Sequence, residues 1–262
     1  MKRTTRIIKS LVSAFILLMG LVCPLYAQEV QNQKVYIAII IDDFGNQMAG
    51  TEEIAKLPIP LTGAVIPGMP FAKDDAKKLH DAGKEVILHV PLEPINGKPN
   101  WLGPKGITSG MSSEKIKGVL EESMTEIPYA VGMNNHMGSR AMQSKNVVGT
   151  LMDFANEKGF YFVDSKTYDN KVAQEIAIEK HTPYLVRDVF LDNTPSTGYV
   201  VERLNEAYKV AKEKGYAVVI GHVGPEKGPH TAAALKSMIG QLQAKNVEFV
   251  TVSQLMSSLQ GK

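Results

Sequence analysis

Eight short apolar runs alternate with seven longer amphipathic segments along this chain, and no other feature narrows its fold so far. The apolar runs, at 35–41, 61–66, 85–90, 129–133, 160–163, 184–186, 216–220 and 247–252, have the composition of buried strands. Between them, 48–56, 72–82, 113–126, 146–158, 170–180, 200–214 and 231–244 carry helical periodicity. Ser112 or Ser113 followed by Glu114 marks a helix start, and Gly83, Gly159 and Gly215 mark helix stops. A strand that returns through a helix runs parallel to its predecessor, so the alternation predicts an α/β fold with a parallel sheet. At 262 residues the chain suits one large domain, and the sheet is expected to close, or nearly close, into a barrel.

Charge is unevenly placed. The net charge is +2, yet Lys2, Arg3, Arg6 and Lys9 all precede the first acid, Glu29. Removing those four from 29 basic residues leaves 25 against 27 acids, about −2 for the remainder. A nucleic-acid partner would require a basic patch for phosphate, so none is expected.

The basic start, the apolar stretch from Leu11 to about Ala27 and the small residue before a polar turn read as a secretory signal over 1–27. Leu25 is poorly suited to the position three before a cut, and an uncleaved segment would then be the chain's membrane contact. Either form places the domain, 35–262 after a linker at 28–34, in a secreted or periplasmic compartment. The only cysteine, Cys23, lies within the apolar stretch, where Val22 does not suit a lipid-attachment box. The mature domain therefore has no disulfide, and any metal must be held by His and carboxylates.

Reactive groups in barrels of this kind collect where strands end. The first strand ends IIIDDFG with Asp42 and Asp43, the third VILHVPLEP with His89 and Glu93, and the fourth GMNNHMGSR with Asn134, Asn135, His136 and Arg140. The fifth ends FYFVDSKT with Asp164 and Ser165, the sixth runs YLVRDVFLDN with Arg187, Asp188 and Asp192, and the seventh ends VVIGHVGP with His222. One His or Asp after a strand is ordinarily structural. Their gathering on one face is what points to chemistry.

Adjacent strand residues face opposite ways, so one carboxylate of Asp42-Asp43 can reach a metal while its neighbour serves as general base. Two imidazoles and a carboxylate suit a divalent cation, zinc first among them. His89 and Glu93 lie four apart, but Pro91 and Pro94 exclude a helix there, which makes the pair a loop clamp. The longest irregular stretch, 91–110, contains the single tryptophan, Trp101, which with Tyr168 could stack against a sugar or anchor its own loop.

These motifs, in this order, resemble the polysaccharide deacetylase superfamily of carbohydrate esterases, and specifically its divergent polysaccharide deacetylase branch, over about residues 35 to 255. IIIDDFG is similar to the first motif, whose paired acids imply Asp42 as base and Asp43 as metal ligand. HVPLEP stands at the second motif, normally two histidines four apart, with Glu93 at the second place. NNHMGSR replaces an Arg-Pro-Tyr motif, FVDSKT resembles the fourth, and IGHVGP the last, which implies His222 as general acid. The resemblance implies a distorted (β/α)7-type, deacetylase-like barrel.

With Glu93 in place of the second histidine the family's Asp-His-His set has to be rebuilt, and the expected metal set is Asp43, His89 and His136, with Glu93 as a fourth ligand or as the partner orienting His89. Asp164 or Asp188 would fix the His222 imidazolium, Arg187 would hold an anionic group or pair with Asp188, and Asn134, Asn135, Arg187, Asp188 and Trp101 would line the substrate site. The function implied is metal-dependent removal of acetyl groups from a polysaccharide or peptidoglycan-like glycan. A catalytically silent envelope barrel binding glycan or protein, or a hydrolase for another bond, are the competing readings.

Overall fold

The computed structural model describes residues 34–97, 99–169 and 171–260. The expected signal at 1–27, and the linker apart from Lys34, lie outside the described residues. The chain forms β1 (Val35–Phe44), α1 (Thr51–Ala55), β2 (Thr62–Val65), α2 (Ala72–Asp81), β3 (Glu85–Leu92), α3 (Ser113–Glu126), β4 (Ala130–Met137) and α4 (Lys145–Lys158). It continues through β5 (Tyr161–Asp164), α5 (Val172–Glu179), β6 (Tyr184–Val186), β7 (Val189–Phe190), α6 (Thr197–Lys214), β8 (Tyr216–His222), α7 (Gly228–Gln243), β9 (Val247–Val250) and α8 (Val252–Gln260). Ser112 and Ser144 cap α3 and α4 through their hydroxyls, and left-handed Gly159 and Gly215 end α4 and α6.

Every strand pair is parallel, in the order β6-β5-β4-β3-β2-β1-β8-β7, with β9 beside the first half of β1. The two edge strands, β6 and β7, are consecutive in the chain and separated only by Arg187 and Asp188. Three peptide units span at most about 11 Å, so the sheet must curl until its edges almost meet. The Arg187 amide donates to Asp164 O on one edge and the Asp188 amide to Val218 O on the other. This is the expected distorted barrel, with a seam where YLVRDVFLDN splits into two short strands rather than one.

Strand alternation divides the core. Ile37, Ile39 and Ile41 pack outward under the helices, whereas Ala38 and Ile40 join Ile87, Tyr161, Val163, Val218 and Ile220 inside the barrel. Val252 and Leu255 of α8 complete the interior cluster at the N-terminal end of the strands. The Glu85 carboxylate anchors that plug, accepting from Thr62 Oγ1 (2.8 Å), Tyr161 OH (2.7 Å) and the amides of Val252 (3.1 Å) and Ser253 (3.3 Å). An acid at a helix N-terminus with this many donors is doubly favoured. Replacing Glu85 by Ala should cost about 3 kcal/mol of unfolding free energy in denaturant titration, because several donors lose their acceptor together.

Candidate metal centre

The alternation that buries Ala38 and Ile40 carries forward to Asp42, as Val218 and Ile220 lead to His222, and Ile87 leads to His89. Cross-strand register then sets Asp42 beside His222 and His89 beside Asn134. Asp43, of opposite parity, would point outward with Ile41. A register shift between Ile41 and Phe44 opposite Gly63 and Val65 inserts one extra residue, and Asp43 takes a left-handed φ of 70°. The bulge re-aims the second carboxylate inward, at a strain on the order of 1–3 kcal/mol for a non-glycine residue.

Asp43, His89 and His136 thus bring one ligand atom each within 4.8 Å of one another. Asp43 Oδ1 lies 3.3 Å from His89 Nε2 and 3.1 Å from His136 Nδ1, and the two ring nitrogens are 3.1 Å apart. Asn134, completely buried, sets the chemistry of this group. Its Nδ2 donates to Asp42 Oδ1 at 2.8 Å, so its Oδ1 is left to accept from His89 Nδ1 at 2.7 Å. In its neutral form His89 therefore carries the proton on Nδ1, and the Nε2 lone pair faces Asp43 and His136. Asp43 Oδ1 is buried with no hydrogen bond of its own. An orphaned carboxylate oxygen, an imidazole lone pair and a second imidazole converging on one point fit a divalent cation.

The adjacent acids titrate in opposite directions. Burial raises Asp42 above 3.8, despite the opposing charges of His89 and His222. Burial also pushes Asp43 upward, but the two imidazoles beside it, His136 and His89, outweigh it and hold Asp43 well below 3.8. For His89, burial opposes the charge, yet Asp42 and Asp43 raise it to about 8.

His222 is held by an acid other than those expected. Asp192, fully buried, accepts from His222 Nδ1 at 2.7 Å with one oxygen, and with the other from the His222 amide (2.6 Å) and Thr231 Oγ1 (2.9 Å). Asp164 instead accepts from the Lys166 amide (2.7 Å) and Tyr184 OH (2.9 Å), and Asp188 from Lys214 Nζ (2.9 Å) and the Val218 amide (2.8 Å). The expectation that Asp164 or Asp188 fixes His222 is corrected to Asp192. The missed signal was the second apolar pair in YLVRDVFLDN, a separate strand whose continuation brings Asp192 beside β8.

Glu93 is likewise taken up elsewhere. Its Oε2 accepts from the Ser109 amide (2.8 Å) and hydroxyl (2.7 Å), its Oε1 lies 3.4 Å from Arg140 Nε, and its backbone carbonyl receives the amides of Arg140 and Ala141. It clamps the loop after β3, and the orienting of His89 belongs to Asn134. Asn135 ties β4 to β5 by accepting from the Ser165 amide and donating to Met137 O (both 2.8 Å). Arg187 donates through Nε to Ser165 O (2.9 Å) and lies over the Phe190 ring, which in turn stacks against His222. Asp188 is its chain neighbour but pairs with Lys214. Trp101, 53% exposed, shares a cleft of about 390 Å³ with Asp43, His136, Met48, Met69 and Lys227.

The family model for divergent polysaccharide deacetylases matches residues 39–256. The chain belongs to this family. It is 31% identical over 252 residues to the uncharacterized protein YibQ of Escherichia coli K12, covering 95% of this chain and 74% of that protein. An uncharacterized protein of Agrobacterium tumefaciens C58 shares its fold, with a TM-score of 0.77 at 20% identity, over 87% of this chain and 94% of that one. So does the catalytic domain of a peptidoglycan N-acetylglucosamine deacetylase from Eubacterium rectale, with a TM-score of 0.54 at 17% identity over 84% and 89%.

The Asp192–His222 pair gives this family member a definite pH signature. Burial pulls His222 down, but its hydrogen bond and charge contact with Asp192, together with Asp43 and Asp42, raise it above 6.5. Burial pushes Asp192 up, but His222 and Thr231 hold it below 3.8. A raised imidazole stabilises the fold fully below 6.5 and loses this as pH rises through its folded value. A lowered carboxyl contributes above 3.8 and loses this as pH falls through its folded value. In the metal-free protein, Asp192→Asn should therefore cost about 3 kcal/mol between those two pH values and progressively less outside them, measured by urea unfolding across pH.

Proposed function

We propose that this protein is a metal-dependent deacetylase acting on an N- or O-acetylated glycan outside the cytoplasm. The observation that carries the proposal is the convergence of Asp43, His89 and His136 beside a buried Asp42 and an Asp192-held His222, all at one end of one barrel. Asp43, His89 and His136 would hold the ion, and the borderline-soft nitrogen and oxygen donors favour zinc. Such an ion, if bound there, would supply a lowered pKa for its water and polarisation of the acyl oxygen.

The chain's own groups would handle the protons. Asp42 Oδ1 is occupied by Asn134, and its raised pKa suits a carboxylate that must accept a proton from the attacking water near neutrality. His222, with Nδ1 donated to Asp192, presents Nε2 for proton donation to the leaving nitrogen or oxygen. Trp101, beside the cluster, offers an aromatic face to a sugar ring. Arg187, near the His222 side of the site, suits an anionic substituent. The relative from Eubacterium rectale, named for peptidoglycan N-acetylglucosamine, supports an amide-linked acetyl as the first substrate to try. The N-terminal basic and apolar pattern supports export.

Elemental analysis of the purified protein is expected to find one divalent ion per chain, lost in both His89→Ala and His136→Ala. Absence of metal after its addition would leave the silent binding barrel in place of the enzyme. Asp42→Asn should keep the metal yet lower acetate release from N-acetylglucosamine oligosaccharides by about 100-fold or more, and His222→Ala by a similar factor.

A further inference from the structure

Asp75, on the first turn of α2, is completely buried, and among the described residues it forms no ion pair. Its side chain makes two hydrogen bonds, both to the loop that follows the Asp42-Asp43 bulge. Oδ2 accepts the Gly45 amide at 2.8 Å and the Gln47 amide at 3.1 Å, and Oδ1 is buried without a partner. Alternate amides converging on one oxygen form the concave backbone nest that binds anions. Along this turn Asp43, Gly45 and Gln47 all have positive φ, at 70°, 128° and 48°.

We infer that Asp75 is a positioning residue of the metal centre, an internal anion that fills this nest and so holds Asp43 in the left-handed turn aimed at His89 and His136. The inference rests on the metal reading above. Among the described residues, no other side chain hydrogen-bonds to the backbone of residues 43–47. The carbonyls of Phe44 and Gly45 accept from the Ile66 and Phe71 amides, both at 2.9 Å, so the segment from β2 to α2 grips the turn through its backbone as well as through Asp75. Gly45 is pressed against that segment, and a Cβ there would lie 3.0 Å from Ile66 O and from Met69 Cβ. Asp42 is anchored separately by Asn134, so loss of the Asp75 charge should disturb the ligand and spare the base.

The test compares the full chain with Asp75→Asn, which keeps the side-chain shape but not the charge. Lys84→Met serves as the control; Lys84 lies just before β3, five residues ahead of His89, and its ammonium holds Leu57 O and Ile59 O. In the metal-free proteins, hydrogen exchange of the 43–48 amides should rise at least tenfold in Asp75→Asn and match the parent in Lys84→Met. Zn²⁺ affinity, by competition with a chelating dye, should fall at least tenfold in Asp75→Asn alone. Gly45→Ala, reaching the turn from the backbone side, should weaken Zn²⁺ likewise and decides the matter if Asp75→Asn does not fold. Unchanged exchange, unchanged affinity despite faster exchange, or an equal affinity loss in Lys84→Met would each overturn the inference. If the parent binds no Zn²⁺, the metal reading fails instead, and the exchange result alone decides whether Asp75 holds the turn.

Discussion

A parallel sheet curled until its edges nearly meet admits only every second side chain to its interior, and the rest of this structure follows from that restriction. On β1 and β8 the inward positions are apolar for most of the strand and become polar at its C-terminal end, and on β3 Ile87 separates the inward Glu85 from His89. Ala38, Ile40 and Asp42 form one such column, Ile87 and His89 a second, Val218, Ile220 and His222 a third. The apolar lower part supplies the burial that raises Asp42, and the proximity of the columns supplies the charges that oppose it. Stability and chemistry therefore share the same strands, with α8 and the Glu85 carboxylate sealing the apolar end.

Two adjacent carboxylates on one strand would ordinarily be sent to opposite faces. The bulge at Asp43 cancels the alternation for a single residue and brings both acids to one place, where their surroundings separate their titration. Asp43 meets two imidazoles and stays ionised, whereas Asp42 meets an amide and a dry wall and is easier to protonate. A pair of like groups pushed apart in this way can divide the work of ligand and base.

The departures from the wider deacetylase pattern also have a structural account. Where that pattern has a second histidine four residues after the first, Glu93 turns away from the cluster and clips Ser109 and Arg140, fixing the loop that carries Trp101. The third ligand position of the cluster is met from the next strand, because His136 has the same parity as Asn134 on β4. One strand thus carries both the amide that sets the His89 tautomer and the second imidazole.

The sequence by itself determined the alternation of strands and helices, the parallel sheet, and the strand ends at which Asp42, Asp43, His89, His136 and His222 lie, because period-2 burial and helix periodicity are local properties of the chain. The seam between β6 and β7 was not legible, since a two-residue strand has no period, and with it went the pairing of Asp192 with His222. Asn134 read as a substrate contact and Glu93 as a ligand or a partner of His89 for the same reason: side-chain pairing across 45 residues has no local signature. In the sequence Asp75 is one of several acids in a helical segment, with Asp74 and Asp81. Only the tertiary structure, by pressing α2 against the loop after Asp43, decided that its carboxylate would be buried on two backbone amides of the site. Long-range polar contacts are settled by which elements pack together, and that is a property of the curled sheet and its helices rather than of any segment within them.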